Sequence, residues 1–156
     1  MPRTVGSANV ARMEVSLITP LSECRSRLAA AWTRAVLAAP RDNPLAVPET
    51  LVHLVEPALD QLVQRLFLGG ATPPEGRVIR GRDTWPPQCA CGRNPYLQFY
   101  VRGEEAMVVE LTSLETFSAQ QVTFMRDQFR IVALEDIRLF GGMCQMRGTE
   151  AAAQCG

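Results

Sequence analysis

The feature that most constrains the fold is a helical periodicity of apolar residues in the first half of the chain. Apolar residues recur every three or four positions from Ser22 to Ala39 and again from Pro48 to Leu68. This spacing places them on one face of an α-helix, so two amphipathic helices are predicted. Ser22 is expected to cap the first, and Pro57 to kink the second before Gly69-Gly70 ends it. The two apolar faces comprise Leu21, Cys24, Leu28, Trp32 and Val36, then Leu51, Val55, Leu59, Leu62, Leu66 and Phe67.

The second half of the chain shows patterns typical of strands. Residues 96–101 and 106–111 are rich in aromatic and branched side chains, and they flank the polar stretch 102–105, which resembles a hairpin turn. The second of these runs also fits a helical period. Ser118 and Gln121 form a capping-box pattern that opens a short helix to about Asp127. Residues 130–134 and 137–146 are again predicted as strands, bent at Gly141-Gly142.

These elements predict an α+β fold, with N-terminal helices packed on a small, mostly antiparallel sheet. We expect one domain over residues 14–148, because a chain of 156 residues suits a single core. Residues 1–13 are expected to form a flexible arm and residues 149–156 a flexible tail. No apolar run approaches the roughly 18 residues of a membrane span, so no membrane contact is expected.

The cysteines suggest a metal site that could stabilise the predicted sheet. Cys89 and Cys91 are separated by one residue, and two thiolates this close can share one Zn²⁺, although a structural site needs four ligands. Cys144 is the best further candidate, ahead of Cys155, Cys24 and the only histidine, His53. The alternative is that Cys89 and Cys91 are two small buried apolar residues.

No catalytic motif emerges from the spacing of the reactive residues, so a non-enzymatic protein is expected. His53 and the pair Cys89 and Cys91 do not have the spacing of zinc deaminases, and no phosphate loop is present. A second hypothesis is single-stranded RNA binding by the stretch 77–102, in which Arg residues would contact phosphates and aromatic rings would stack on bases. The residues are Arg77, Arg80, Arg82, Arg93, Arg102, Trp85, Tyr96, Phe99 and Tyr100.

The charge balance is neutral but unusual in its make-up. The formal net charge is zero, so long-range attraction to nucleic acid or to an acidic membrane is not expected of the whole chain. All 16 basic residues are Arg, and none is Lys. A GC-rich coding sequence would explain this bias. A chain without Lys also offers no side-chain amine for ubiquitin attachment.

Residues 79–91 resemble the middle of the adenovirus early-region four 34K protein family. The pattern is Ile79-x-Gly81-x-Asp83-Thr84-Trp85-x-x-x-Cys89-x-Cys91. Further matching pieces are Glu49-Thr50-Leu51-Val52-x-Leu54, Leu97-Gln98, Gly103, Phe140 and Met146-Arg147-Gly148. The chain would be a divergent or truncated member, since Gln88 and Ala90 stand where the family has histidines.

The resemblance implies a viral early regulatory protein that acts as an adaptor in the host nucleus and cytoplasm. Members of that family join a larger early-region 1B protein and recruit elongins B and C with a cullin. Host targets such as p53 are then marked for destruction, and export of late viral mRNA is favoured.

The resemblance also suggests where elongin C would bind. The family motif is a helical segment with a Leu, a Cys four residues later and a further apolar residue. Leu21, Cys24 and Leu28 are similar to it, although Leu21 precedes Cys24 by three positions. They are expected to present an amphipathic helix to a groove on the partner. An ordinary first turn of a core helix would give the same pattern.

Overall fold

The described residues form four α-helices. The structure is a computed structural model that describes residues 5–39, 43–68 and 94–143, with side chains from residue 16 to residue 138 within them. The helices are α1 (Val5–Leu37), α2 (Pro48–Phe67), α3 (Pro95–Ser113) and α4 (Ala119–Met143). Helix α1 packs against α2 and α3, and α4 packs against α3 and α2.

Interhelical contacts give the helix directions. Arg25 of α1 pairs with Glu56 and Asp60 of α2, and the connector from Ala38 to Val47 joins these two helices. Because Arg25 lies about as far before this connector as Glu56 and Asp60 lie after it, α1 and α2 are antiparallel. Helix α3 is also antiparallel to α1, since Trp32 contacts Phe99 whereas the earlier Arg27 contacts the later Glu110. Helices α2 and α3 therefore run in the same direction.

The first two predicted helices are present, with differences in their bounds. Helix α2 continues through Pro57 and ends within a residue of the predicted position. Helix α1 begins at Val5, in the range expected to form an arm, and continues through Pro20. Ser22 is therefore not a cap. Its hydroxyl donates to the Ile18 carbonyl at 2.8 Å, inside the helix.

The predicted α+β fold is wrong, because the residues assigned to strands lie in helices α3 and α4 wherever the structure describes them. In α3 the buried residues follow a spacing of three or four. Aromatic and branched side chains favour strands only weakly, and burial on one helical face overrides that preference. The buried residues of α3 are Pro95, Phe99, Tyr100, Gly103, Glu104, Met107 and Leu111.

The start of α3 also had a helical signal. The Asn94 carboxamide oxygen accepts from the Tyr96 backbone N–H at 3.0 Å, and Pro95 occupies the first turn. The pair Asn94-Pro95 is thus a sequence signal for a helix N-terminus.

The capping box at the start of α4 is confirmed. The Gln121 N–H donates to the Ser118 hydroxyl at 3.2 Å, and the Ser118 N–H donates to the Gln121 side chain at 2.9 Å. The helix it opens does not stop at Asp127 but continues to Met143. It includes residues 130–134 and 137–143, which had been expected in strands, and passes through Gly141-Gly142 without a break.

Candidate functional site

The side of α3 that faces α1 is closely packed around one tryptophan. Trp32 is 2% exposed, and its indole N–H donates to the Phe99 carbonyl at 2.9 Å. Its ring centroid lies 4.6 Å from that of Phe99 and 5.2 Å from that of Phe129. A Cβ atom on Gly103 would lie 2.3 Å from Trp32 Cε2, so only glycine fits there. The stretch 102–105 is therefore part of helix α3, not a turn, and Gly103 within it contacts α1.

The side of α3 that faces α4 carries polar contacts. The Tyr100 hydroxyl donates to the Asp136 carboxylate. One turn further along α3, both carboxylate oxygens of Glu104 accept from the Arg130 guanidinium of α4, at 2.8 and 2.6 Å. Burial, followed by the hydrogen bond to Asp136, raises the pKa of Tyr100 above its usual value of 10.0. Arg130 and Glu104 neutralise each other, and together with the bond from Tyr100 to Asp136 they hold α4 on α3.

The residues predicted to contact elongin C lie in the core. Leu21 and Leu28 are each 2% exposed, and Cys24 is 6% exposed. Burial raises the pKa of the Cys24 thiol, which donates to the Leu21 carbonyl. In the folded bundle the three side chains face other helices, and their spacing is that of a core stripe.

The same holds for part of the predicted RNA surface. Phe99 and Tyr100 are 1% and 0% exposed, so their faces are not available to bases. Arg102 pairs with Glu105 on the same helix at 2.9 Å. Arg77, Arg80, Arg82, Trp85 and Arg93 lie outside the described residues.

The predicted metal ligands Cys89, Cys91 and Cys144 also lie outside the described residues, as does Cys155. Of the other candidates, Cys24 is buried and His53 is exposed on α2. Within residues 5–39, 43–68 and 94–143, no three His, Cys, Asp or Glu side chains are grouped to hold a metal.

The described residues show how the two helix ends nearest in sequence to Cys91 and Cys144 are arranged. The Asn94 amide donates to the Ile137 carbonyl at 3.3 Å, which joins the start of α3 to the last turns of α4. Cys91 precedes Asn94 by three residues, and Cys144 directly follows the end of α4. The start of α3 and the end of α4 therefore lie at the same end of the bundle.

Sequence reasoning missed one exposed apolar site, the end of α2. Phe67 is 72% exposed and Leu68 is 63% exposed. Among aromatic side chains that the structure describes, Phe67 alone is classed as exposed. Phe67 was expected on the inner face, but it follows the fully buried Leu66, and neighbours on a helix point about 100° apart. The position of Phe67 directly after Leu66 was the sequence signal that these two side chains face different directions.

No protein-family model, no curated protein and no solved structure matches the chain. The resemblance to the adenovirus early-region four 34K family therefore stays a prediction. None of the described helices is both long and apolar enough to cross a membrane.

Proposed function

We propose that the chain is a non-enzymatic adaptor that binds other proteins through the exposed end of α2. The observation that carries this proposal is the exposure of Phe67 and Leu68, at 72% and 63%. Aromatic side chains are enriched at the centres of protein interfaces, where a few of them carry most of the binding energy. Two consecutive large apolar residues left in water are suited to such an anchor.

The contacts between helices are consistent with a scaffold. Arg25, Arg27 and Arg130 each pair with a carboxylate on a neighbouring helix. These pairs hold helices together. The partners proposed for the adaptor include elongins B and C and a cullin, which belong to the ubiquitin ligase. The other proposed partners are an early-region 1B large protein and host targets such as p53. The proposed location is the host nucleus and cytoplasm.

The elongin contact is not assigned to Leu21, Cys24 and Leu28, because these side chains are buried. Substituting them would remove core contacts and could unfold the bundle. A loss of partner binding in such a variant would then not identify the binding surface. The exposed Phe67 and Leu68 can be changed with little effect on the bundle.

The test is affinity purification of three tagged forms from cells. These are the parent chain, the double variant Phe67→Ala with Leu68→Ala, and the control Val109→Ala, which changes a side chain 68% exposed on α3. We expect the parent and the control to recover elongin C and a cullin, and the double variant to lose them by about tenfold or more. If neither the parent nor the control recovers them, the ligase role is overturned. Equal recovery by all three would instead place the contact elsewhere.

The RNA alternative now rests on residues outside the described ranges, chiefly Trp85 and the neighbouring Arg residues. Binding to single-stranded RNA should weaken steeply as salt rises. Undetectable binding at low salt would exclude it.

A Zn²⁺ ion on Cys89, Cys91 and Cys144 remains part of the proposal. In its support, the hydrogen bond between Asn94 and Ile137 joins the start of α3 to the last turns of α4, the described helix ends nearest in sequence to these cysteines. Metal analysis of the purified chain should find about one equivalent, lost in Cys89→Ser and Cys91→Ser and kept in Cys155→Ser. Less than about half an equivalent in the parent would identify plain thiols.

A further inference from the structure

A largely buried arginine side chain links the last turn of α2 to α4. The Arg65 Nε donates to the Gln128 side-chain oxygen at 2.9 Å, and Arg65 Nη1 lies 3.7 Å from a Glu135 carboxylate oxygen. The Arg65 side chain is 12% exposed and Gln128 is 9% exposed, whereas the Glu135 side chain is 49% exposed. The bond to Gln128 is therefore the stronger of the two contacts, because water screens the other. We call these three residues the α2–α4 link.

The α2–α4 link lies where α2 is most easily opened. The last carbonyls of a helix have no partner within the helix, so its final turn opens more readily than its middle. Helix α2 ends at Phe67, and it contacts α4 far less extensively than it contacts α1. A buried hydrogen bond from Arg65 in this turn is thus a restraint on the segment that carries Phe67 and Leu68.

The α2–α4 link also determines which way Phe67 faces. Successive helical residues are rotated by about 100°, so Phe67 lies about 200° around α2 from Arg65, with Leu66 between them. Leu66 is fully buried and Arg65 is held on α4, so the core and α4 occupy two neighbouring directions. Phe67 is left to point away from α4, and its 72% exposure follows from this arrangement.

The exposure of two large apolar side chains needs such a restraint. Leu68 is 63% exposed beside Phe67, and its backbone N–H donates to the Gln64 carbonyl at 3.0 Å while the last turn is closed. Opening of this turn frees both side chains to move, and the hydrophobic effect then favours their burial over their exposure. A binding surface made of Phe67 and Leu68 therefore depends on a closed last turn.

We propose that Arg65 is a positioning residue for the surface formed by Phe67 and Leu68. Through its bond to Gln128 it keeps the last turn of α2 closed and the two apolar side chains turned to water. Its importance for binding rests on the adaptor function proposed above, whereas the restraint on α2 is a property of the chain alone. The restraint and the binding are therefore measured separately.

Amide hydrogen exchange of the purified chain measures the restraint. The backbone N–H groups of Phe67 and Leu68 should exchange about tenfold faster in Arg65→Met than in the parent, because the donor is lost and an unbranched side chain remains. Gln128→Leu removes the acceptor and should have the same effect. The double variant should exchange no faster than either single variant, since all three lose the same hydrogen bond.

Two control variants separate the restraint from a general loss of stability. Arg65→Lys keeps a positive charge and a donor, so it should exchange at close to the parent rate. Arg27→Met removes an ion pair between α1 and α3, 3.0 Å long in the parent, and should leave the end of α2 unchanged. The N–H groups of Trp32 and Tyr100 report on the core. Equal acceleration there and at Phe67 in Arg65→Met would overturn the proposal, because Arg65 would then stabilise the whole bundle.

Binding is measured with the purified complex of elongins B and C. Arg65→Met should weaken binding about fivefold or more, because the apparent affinity falls with the fraction of chains whose last turn is closed, and Arg65→Lys should restore it. Equal binding by the parent and Arg65→Met would overturn the proposal, as would equal exchange rates at Phe67 and Leu68. If the parent itself does not bind, the ligase role is overturned, and the exchange rates alone decide whether Arg65 positions Phe67 and Leu68.

Discussion

Around Gly103 and Glu104, helix α3 holds its two neighbours by different means. Towards α1 it offers Gly103, and Trp32 fills the space that a side chain would occupy. Towards α4 it offers Tyr100 and Glu104, which bind Asp136 and Arg130. The first contact depends on volume and is insensitive to pH, whereas the second depends on protonation and on hydrogen-bond geometry. One helix therefore carries two kinds of specificity on adjacent faces.

The largest expected effect comes from the apolar face. Trp32→Ala should lower the free energy of unfolding by about 3–5 kcal/mol, because it empties the centre of the aromatic cluster. Gly103→Ala should cost about 1–3 kcal/mol through overpacking. Urea unfolding followed by circular dichroism measures both.

A double-mutant cycle shows whether the two residues act on one space. In Trp32→Phe with Gly103→Ala, the smaller ring should relieve part of the clash, so the combined loss should be less than the sum of the single losses. Strict additivity would contradict the close approach.

The polar face should give the next largest effect. Glu104→Ala should cost about 1–3 kcal/mol, because it leaves the Arg130 guanidinium without its carboxylate at a half-buried site. Glu105→Ala is the matched control on the same helix. Its carboxylate pairs with Arg102 at the surface, where its side chain is 58% exposed, so the loss should stay below about 0.5 kcal/mol. Similar losses for both variants would show that burial of the Glu104 pair contributes nothing.

The smallest expected effect is the pH dependence that Tyr100 adds on the polar face. The pKa of Tyr100 is raised in the folded chain, first by burial and then by its bond to Asp136. The stabilisation is thus complete below the ordinary pKa of 10.0 and declines as the pH rises above it, because the unfolded chain ionises first.

Tyr100→Phe should cost about 1 kcal/mol at pH 7 and should unfold with a weaker alkaline dependence than the parent. Denaturation midpoints between about pH 8 and pH 11 measure the difference. Parallel curves for the two chains would show that the Tyr100 hydroxyl ionises as freely in the folded state as in the unfolded one.

Individual helices were predicted correctly where the helical period was strong and local signals agreed with it, although the predicted α+β fold was wrong. Helices α1 and α2 each show an uninterrupted apolar stripe. At the start of α4, Ser118 and Gln121 form reciprocal hydrogen bonds within four residues of chain. Such features need no distant partner. The prediction failed in α3, where Tyr96, Phe99, Tyr100 and Val101 favour strands by composition, and in α4, where residues 130–134 and 137–143 had been expected in strands.

The candidate sites were harder to predict than the helices. Leu21, Cys24 and Leu28 have the spacing of a binding helix and also that of a core helix, and only the presence of neighbouring helices distinguishes these cases. Phe67 was placed on the wrong face because its neighbour Leu66 is the residue that packs inward. The role of Cys89, Cys91 and Cys144 as zinc ligands stays a prediction.

By itself, the sequence determined that two amphipathic helices form in the first half, where α4 begins and that the net charge is zero. These properties depend on spacing, on capping and on composition, all of which are local or additive. The tertiary structure decided that residues 95–113 are helical, that Gly103 makes room for Trp32, and that Phe67 faces water while Cys24 does not. Each of these depends on which surfaces are brought together, since the free energy of burial is shared between residues far apart in the chain.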